Sequence, residues 1–241
     1  MDITTGVIIP SAGKGARMNS GLPKQMLEIG GVTILGHTIN RILAIDTIRH
    51  LVIPASDEWF DLSLQIARRS LEQSRKGDLV QVDVIPGGSE RMFSVKNGLS
   101  KLRDIKMDVV MVHDAVRPCF PVDAVNRLVM EAMHKGAAIL AVPARDTVKL
   151  VDDDRRITST PDRSKVWLAQ TPQAFRREVL FDACEKACAD GFLATDDASM
   201  AEFAGYAVHV VEGCQENIKI TYPADLLFAE KWLELNTSEL N

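Results

Sequence analysis

Between residues 7 and 25 a short apolar run, Val7-Ile8-Ile9-Pro10, opens into Ser11-Ala12-Gly13-Lys14-Gly15-Ala16-Arg17-Met18 and then Leu22-Pro23-Lys24-Gln25. The run reads as a buried strand, and its glycines as a loop that lets backbone approach a ligand closely. Backbone N–H groups together with Lys14, Arg17 and Lys24 make a seat for phosphate; the plainer reading is a strand-to-helix turn with solvated bases. A dinucleotide fingerprint needs a third glycine where Met18 stands, and Pro23 interrupts the helix that should follow. A Walker A loop is also absent. The segment is a nucleotide loop of another kind, long and stretched over its ligand.

Further chemistry-bearing residues recur where apolar runs end: Gly87-Gly88-Ser89-Glu90-Arg91, Asp114 with Arg117, Arg145-Asp146-Thr147, Thr171 and Lys219. Asp114 closes the most apolar run and is the best metal candidate, because magnesium takes carboxylates and substrate phosphates. The plainer alternative is a helix cap or an ion pair with Arg117. His113 has no serine or cysteine partner and fits a hydrogen-bonded structural histidine as well as a base. Such a wealth of Arg and Lys favours phosphoryl or nucleotidyl transfer, where catalysis is positioning and charge stabilisation.

These residues need a scaffold, and hydrophobic periodicity supplies one. Strands are expected at 7–10, 50–54, 79–85, 107–112, 137–142, 166–169, 208–211 and 217–220. Helices are expected at 33–45, 58–71, 91–102, 121–135 and 177–189, then a short one capped by Thr195-Asp196 and a last one from Pro223. Thr171-Pro172-Gln173 reads as a turn after the strand at 166–169. The alternation, with strands apolar on both faces, gives an α/β fold: a mostly parallel sheet covered by helices on both faces, whose ligands sit beyond the strands' carboxyl ends. It breaks at about 143–165, where 147–151 and 156–160 form an antiparallel excursion. A hairpin alone is marginal in water, so it must pack on its own body or, as a dimer arm, on another subunit.

With 241 residues the chain suits one domain over 1–241. Its net charge of -5 argues against nonspecific nucleic-acid binding. No apolar run approaches the about 18 residues of a membrane helix, and no export signal is read. Cys119, Cys184, Cys188 and Cys214 lack the companions of a zinc site and fit reduced thiols in a cytoplasmic protein.

As an ordered set, PSAGKGARM at 10–18, LPKQ at 22–25, GGSER at 87–91, HDAVRP at 113–118, RDTVK at 145–149, WLAQTPQAF at 167–175, TDDAS at 195–199 and NIKIT at 217–221 give the chain a specific likeness. Over essentially its full length it resembles the 2-C-methyl-D-erythritol 4-phosphate cytidylyltransferases of the non-mevalonate isoprenoid pathway. The resemblance implies a Rossmann-like domain with a β-arm that clasps a second subunit. It implies a cytoplasmic homodimer joining CTP to methylerythritol 4-phosphate, with magnesium required and pyrophosphate released.

By the same pattern, Ala12, Gly13, Lys14 and Gly15 with Gly88, Ser89 and Ser94 would recognise cytosine and ribose. Arg17, Lys24 and Lys219 would hold the triphosphate and the pentavalent transition state. Asp114 would bind the metal or the acceptor hydroxyls. Arg117, Thr147, Thr171 and Thr195 would line the acceptor pocket, and Arg163 would reach in from the other subunit. Ser89 stands where many members carry aspartate, Asp197 where glutamate is common and Ser11 where alanine is usual; neither Ser89 nor Asp197 is expected to touch the charged set. Ribitol 5-phosphate cytidylyltransferases share part of the pattern, but RDTVK, the tryptophan of WLAQTPQ and TDDAS favour the isoprenoid enzyme. A non-catalytic nucleotide-binding relative would predict loss of Lys24, Asp114 or Lys219, and all three are present.

Overall fold

The computed structural model describes residues 3–13 and 21–236. In chain order the elements are β1 (Thr5–Ile8), β2 (Glu28–Ile29), β3 (Val32–Thr33), α1 (Ile34–Leu43), β4 (Ile48–Ala55), α2 (Phe60–Gln73), β5 (Gln81–Pro86), α3 (Arg91–Leu102), β6 (Val109–Val112) and α4 (Val122–Lys135). They continue with β7 (Ala137–Pro143), β8 (Leu150–Val151), β9 (Ile157–Ser159), β10 (Trp167–Arg176), α5 (Arg177–Ala189), α6 (Asp197–Phe203), β11 (His209–Glu212) and α7 (Pro223–Leu235). Seven strands form one sheet in the order β11-β7-β10-β6-β1-β4-β5. Every neighbouring pair is parallel except those that β10 makes with β6 and β7.

Strand alternation feeds two cores. Val7, Ile9, Leu51, Ile53, Val109 and Met111 face α1, α2 and α4 on one side. Ile8, Val52, Val110 and Val112 face α3, α5 and α6 on the other. This is why β1, β4 and β6 read as unbroken apolar runs. α7 covers a third cluster with Ala229 and Leu233 against Ile220, Ile29 and Ile34. Gly136 ends α4 at φ 97°, a conformation that favours glycine. At the start of α6 the Asp196 carboxylate accepts from the Ser199 N–H while the Ser199 hydroxyl accepts from the Asp196 N–H.

Two expectations are corrected. Thr171-Pro172-Gln173 does not turn the chain; β10 runs from Trp167 to Arg176, and the proline is absorbed by a register irregularity against β7 between Ala169 and Gln173. Proline lacks the N–H that a central strand must donate, so a bulge is what admits it. Residues 217–220 form no strand. The backbone N–H groups of Asn217 and Ile218 bond back to Cys214 and Glu216, and that of Ile220 bonds across to the Val116 carbonyl. The excursion does form a pair, β8 with β9, whose residues are all exposed. The antiparallel hairpin β2–β3 has no counterpart in the sequence reading.

β1 has β4 on one side and β6 on the other, so the strand order reverses there and a crevice opens beyond their carboxyl ends. α3 packs closely beneath it: a Cβ at Gly98 would lie 2.7 Å from Ile8 Cγ2 and 3.0 Å from its Cγ1 and Cδ1. Gly98→Ala gains about 1 kcal/mol of helix propensity but overpacks a fully buried side chain at a cost of roughly 1–3 kcal/mol. A net loss of stability is therefore expected in urea denaturation, and a stabilised variant would contradict this packing.

Candidate active site

The loops after β1 and β6 enclose a cleft of about 290 Å³. Ala12, Gly13, Lys24, Gly88, Ser89, Ser94, Asp114 and Lys219 line it together. Its two glycine loops touch. A Cβ on Gly87 would lie 2.4 Å from the Cβ of Ala12, and one on Gly88 would lie 2.4 Å from the Cβ of Phe93. The Ser94 hydroxyl accepts from the Gly88 N–H at 3.0 Å and so fixes that loop to α3. Gln25 ties the turn bearing Lys24 to the first loop, donating from Nε2 to the carbonyls of Ser11 at 2.7 Å and Gly13 at 3.1 Å.

At the end of β6 the Asp114 carboxylate, only 7% exposed, meets three cations from three segments. Arg91 Nε lies 3.2 Å from Oδ1; Lys219 Nζ at 2.9 Å and Arg117 Nε at 3.4 Å share Oδ2. Burial by itself would raise this carboxyl, but Arg91, Lys219 and Arg117 outweigh it and hold the group well below the usual carboxylate range. Arg117 also donates to the Asn217 carbonyl at 2.7 Å, and Asn217 Nδ2 donates to the Thr171 carbonyl at 2.8 Å. The segment carrying Lys219 is thereby moored to β10. A glycine-lined cleft with a buried carboxylate, a buried lysine and the half-exposed ammonium of Lys219 can receive a polyphosphate.

Known proteins match the chain over nearly its whole length. The family model described as "IspD: 2-C-methyl-D-erythritol 4-phosphate cytidylyltransferase" matches residues 5–235. The chain belongs to that family. It is 42% identical over 229 residues to the 2-C-methyl-D-erythritol 4-phosphate cytidylyltransferase of Syntrophus aciditrophicus, covering 94% of each chain. It is 39% identical over 228 residues to that of Bacillus licheniformis, covering 95% of each. A solved structure of 4-diphosphocytidyl-2C-methyl-D-erythritol synthase from Anaerococcus prevotii superposes with a TM-score of 0.82 at 31% identity, covering 97% of both chains. The Francisella tularensis cytidylyltransferase does so with 0.78 at 33% identity, covering 95% of this chain and 100% of that one.

As a member of this nucleotidyltransferase family the chain spreads its expected site residues unevenly. Lys14, Gly15 and Arg17 lie outside the described residues. Thr171 is buried behind Asp114 rather than on the cleft wall. Thr147 and Arg163 lie on the excursion, exposed, with Arg163 Nη1 donating to the Arg145 carbonyl at 3.0 Å. Thr195 is exposed just ahead of α6. One expectation fails: Asp197 does touch the charged set. It is fully buried, and its Oδ2 lies 2.8 Å from Arg91 Nη2. Sequence reasoning gave no role to Arg91, Gln25 or Asn217, although each lies inside a quoted motif; nothing in spacing reveals which neighbours their side chains bond.

His113 is structural. The Asp114 N–H donates to Thr171 Oγ1 at 3.0 Å, that hydroxyl meets His113 Nδ1 at 3.1 Å, and His113 Nε2 meets the Arg117 carbonyl at 3.0 Å. A carbonyl only accepts, so Nε2 carries the proton and neutral Nδ1 accepts from the threonine. Burial pushes the imidazole down to about 4. Its contribution to stability is thus complete above pH 6.5 and lost as the pH falls toward 4, about 3 kcal/mol in all and about 2 kcal/mol by pH 5. Urea denaturation at pH 7 and pH 5 should show that drop, and a smaller one in His113→Gln. Equal drops in the two proteins would refute the assignment.

Proposed function

We propose that the protein transfers CMP from CTP to 2-C-methyl-D-erythritol 4-phosphate, releasing pyrophosphate and forming 4-diphosphocytidyl-2-C-methyl-D-erythritol. The observation that carries this reading is the cationic cluster around Asp114 facing the glycine-lined cleft, in a chain of this family. The acceptor phosphate is already anionic at pH 7, which fits a site whose one buried histidine is committed to the fold. A phosphate oxygen of the acceptor attacks the α-phosphorus in line; the new P–O bond forms as the bond to the β-phosphate bridging oxygen breaks. The backbone of the loops at 12–15 and 87–89 holds base and ribose. Lys24, Lys219 and Arg17 answer the charge that grows on the α-phosphoryl oxygens.

Magnesium is the expected cofactor, and the donor set suits it. Asp114 stays ionised, and its two oxygens offer about four lone-pair sites for three cation contacts. One carboxylate beside substrate phosphates is how magnesium is commonly held, and bound there it would neutralise charge on the triphosphate and the departing pyrophosphate. With three cations already around Asp114, the ion is best accommodated together with the nucleotide's negative charge.

The protein is further proposed to act as a cytoplasmic homodimer. Supporting this, Leu150, Val151, Ile157, Trp167 and Leu168 on and beside the excursion are all exposed, an apolar surface suited to a second copy. Arg163 on the same excursion would reach the partner's acceptor phosphate. No described helix is long and apolar enough to cross a membrane.

Pyrophosphate release from CTP and magnesium should occur with methylerythritol 4-phosphate and not with ribitol 5-phosphate; the reverse preference would reassign the acceptor, and silence with both would end the enzyme reading. Lys24→Ala and Lys219→Ala should each lower turnover by about 10²–10³-fold with little change in CTP binding. Arg163→Ala should instead raise the acceptor KM.

A further inference from the structure

The cations around Asp114 are not equivalent. Lys219 is 48% exposed at its side chain and has only Asp114 as its ion-pair partner among the described residues. Arg91 spans two carboxylates with two different nitrogens, Nε on Asp114 Oδ1 and Nη2 on Asp197 Oδ2. Asp197 has no exposed surface, and its other oxygen is buried without a hydrogen-bond partner. A buried carboxylate that depends on one countercharge cannot release it cheaply. Arg91 is also the first residue of α3, whose Met92 and Val95 are buried in the core, so its backbone is fixed.

We propose that Arg91 is a positioning residue for the reaction, holding the Asp114 carboxylate in its working orientation by anchoring it to Asp197 on α6. The proposal rests on the cytidylyltransferase reading given above. Asp114 then has one oxygen bound to the frame and one shared by cations that an incoming polyphosphate competes for. When phosphate draws Lys219 away, Asp197 keeps Arg91 in place, and Arg91 keeps Asp114. The short reach of Asp197 matters here, because the distance from α6 to the guanidinium is what sets how far Arg91 extends toward Asp114.

The test combines kinetics with stability. Arg91→Gln should lower turnover roughly 10- to 100-fold while the CTP KM stays within about threefold, the size expected of a misplaced reacting group. Arg91→Lys keeps the charge but has no second nitrogen to span the carboxylates, and should not restore turnover. Asp197→Asn, at a residue that does not itself line the cleft, should lower turnover in the same direction. In an Asp114→Asn background, Arg91→Gln should add less than about a twofold loss. Full additivity there would mean that Arg91 acts on substrate directly, and wild-type turnover in Arg91→Lys or Asp197→Asn would mean that bare charge suffices; either overturns the proposal.

Thermal unfolding reads the anchor without activity. Arg91→Gln should lower Tm by roughly 5–10 °C in the wild-type background and by much less in Asp197→Asn, since the variant no longer strands a buried charge. Equal shifts in the two backgrounds would remove the anchor. If the wild-type protein releases no pyrophosphate, the functional reading falls, while the Tm cycle still decides whether Arg91 is tied to Asp197.

Discussion

A buried carboxylate must find positive charge, and most of the site follows from how Asp114 finds it. Asp114 is largely buried at the end of β6, so leaving its charge unpaired would cost about 3–5 kcal/mol, far more than an exposed ion pair contributes. Arg91 comes from the start of α3, Arg117 from the loop after β6, and Lys219 from the strap before α7. Three segments far apart in the chain are therefore held to one point by charge, over a sheet whose two cores are apolar. The cores fix where the strand ends lie, and the charges fix what the loops do there.

The same logic extends outward through uncharged groups. Arg117 reaches the Asn217 carbonyl, Asn217 reaches Thr171, and Thr171 supports both the Asp114 N–H and neutral His113. Gln170 joins by donating to the Cys214 carbonyl at 2.7 Å. Gly213 permits the approach, because a Cβ there would sit 2.4 Å from Gln170 Oε1. A network of this kind strengthens as it is completed and is costly when half made. The strap bearing Lys219 needs no strand pairing for that reason: side chains from β10 and the loop after β6 do the work that a ladder would do elsewhere.

How much of this was legible in the sequence depends on the range of the interaction. Strands such as 137–142 and helices such as 91–102 and 177–189 were readable because periodicity and caps are local properties. The parallel sheet followed from alternation and from strands apolar on both faces. The bulge that carries Pro172 through β10 was not readable, because a proline signals a turn unless tertiary packing on both sides holds the strand open. Residues 217–220 misled for the converse reason. Asn217 and Ile220 are buried, but the backbone N–H groups of Asn217 and Ile218 bond within a local turn, and Ile220 bonds singly to the Val116 carbonyl rather than along a strand.

For the site, sequence identified the segments and missed the wiring. Asp114, Lys219 and the segment ending in Arg91 could be named from where they fall relative to apolar runs, but the pairing of Arg91 with Asp197 could not, because the two are more than a hundred residues apart in the chain and meet only in the fold. Asp197 shows how such an error arises. Judged as an aspartate where glutamate is common, it was expected to leave the charged set alone; buried at the start of α6, it is the counterion that a cleft-lining arginine depends on. A one-carbon difference in a buried acid acts on the cluster through Arg91, since the guanidinium must span whatever gap the backbone leaves. Substitutions at position 197 therefore belong with the charged site, although the residue itself does not line the cleft.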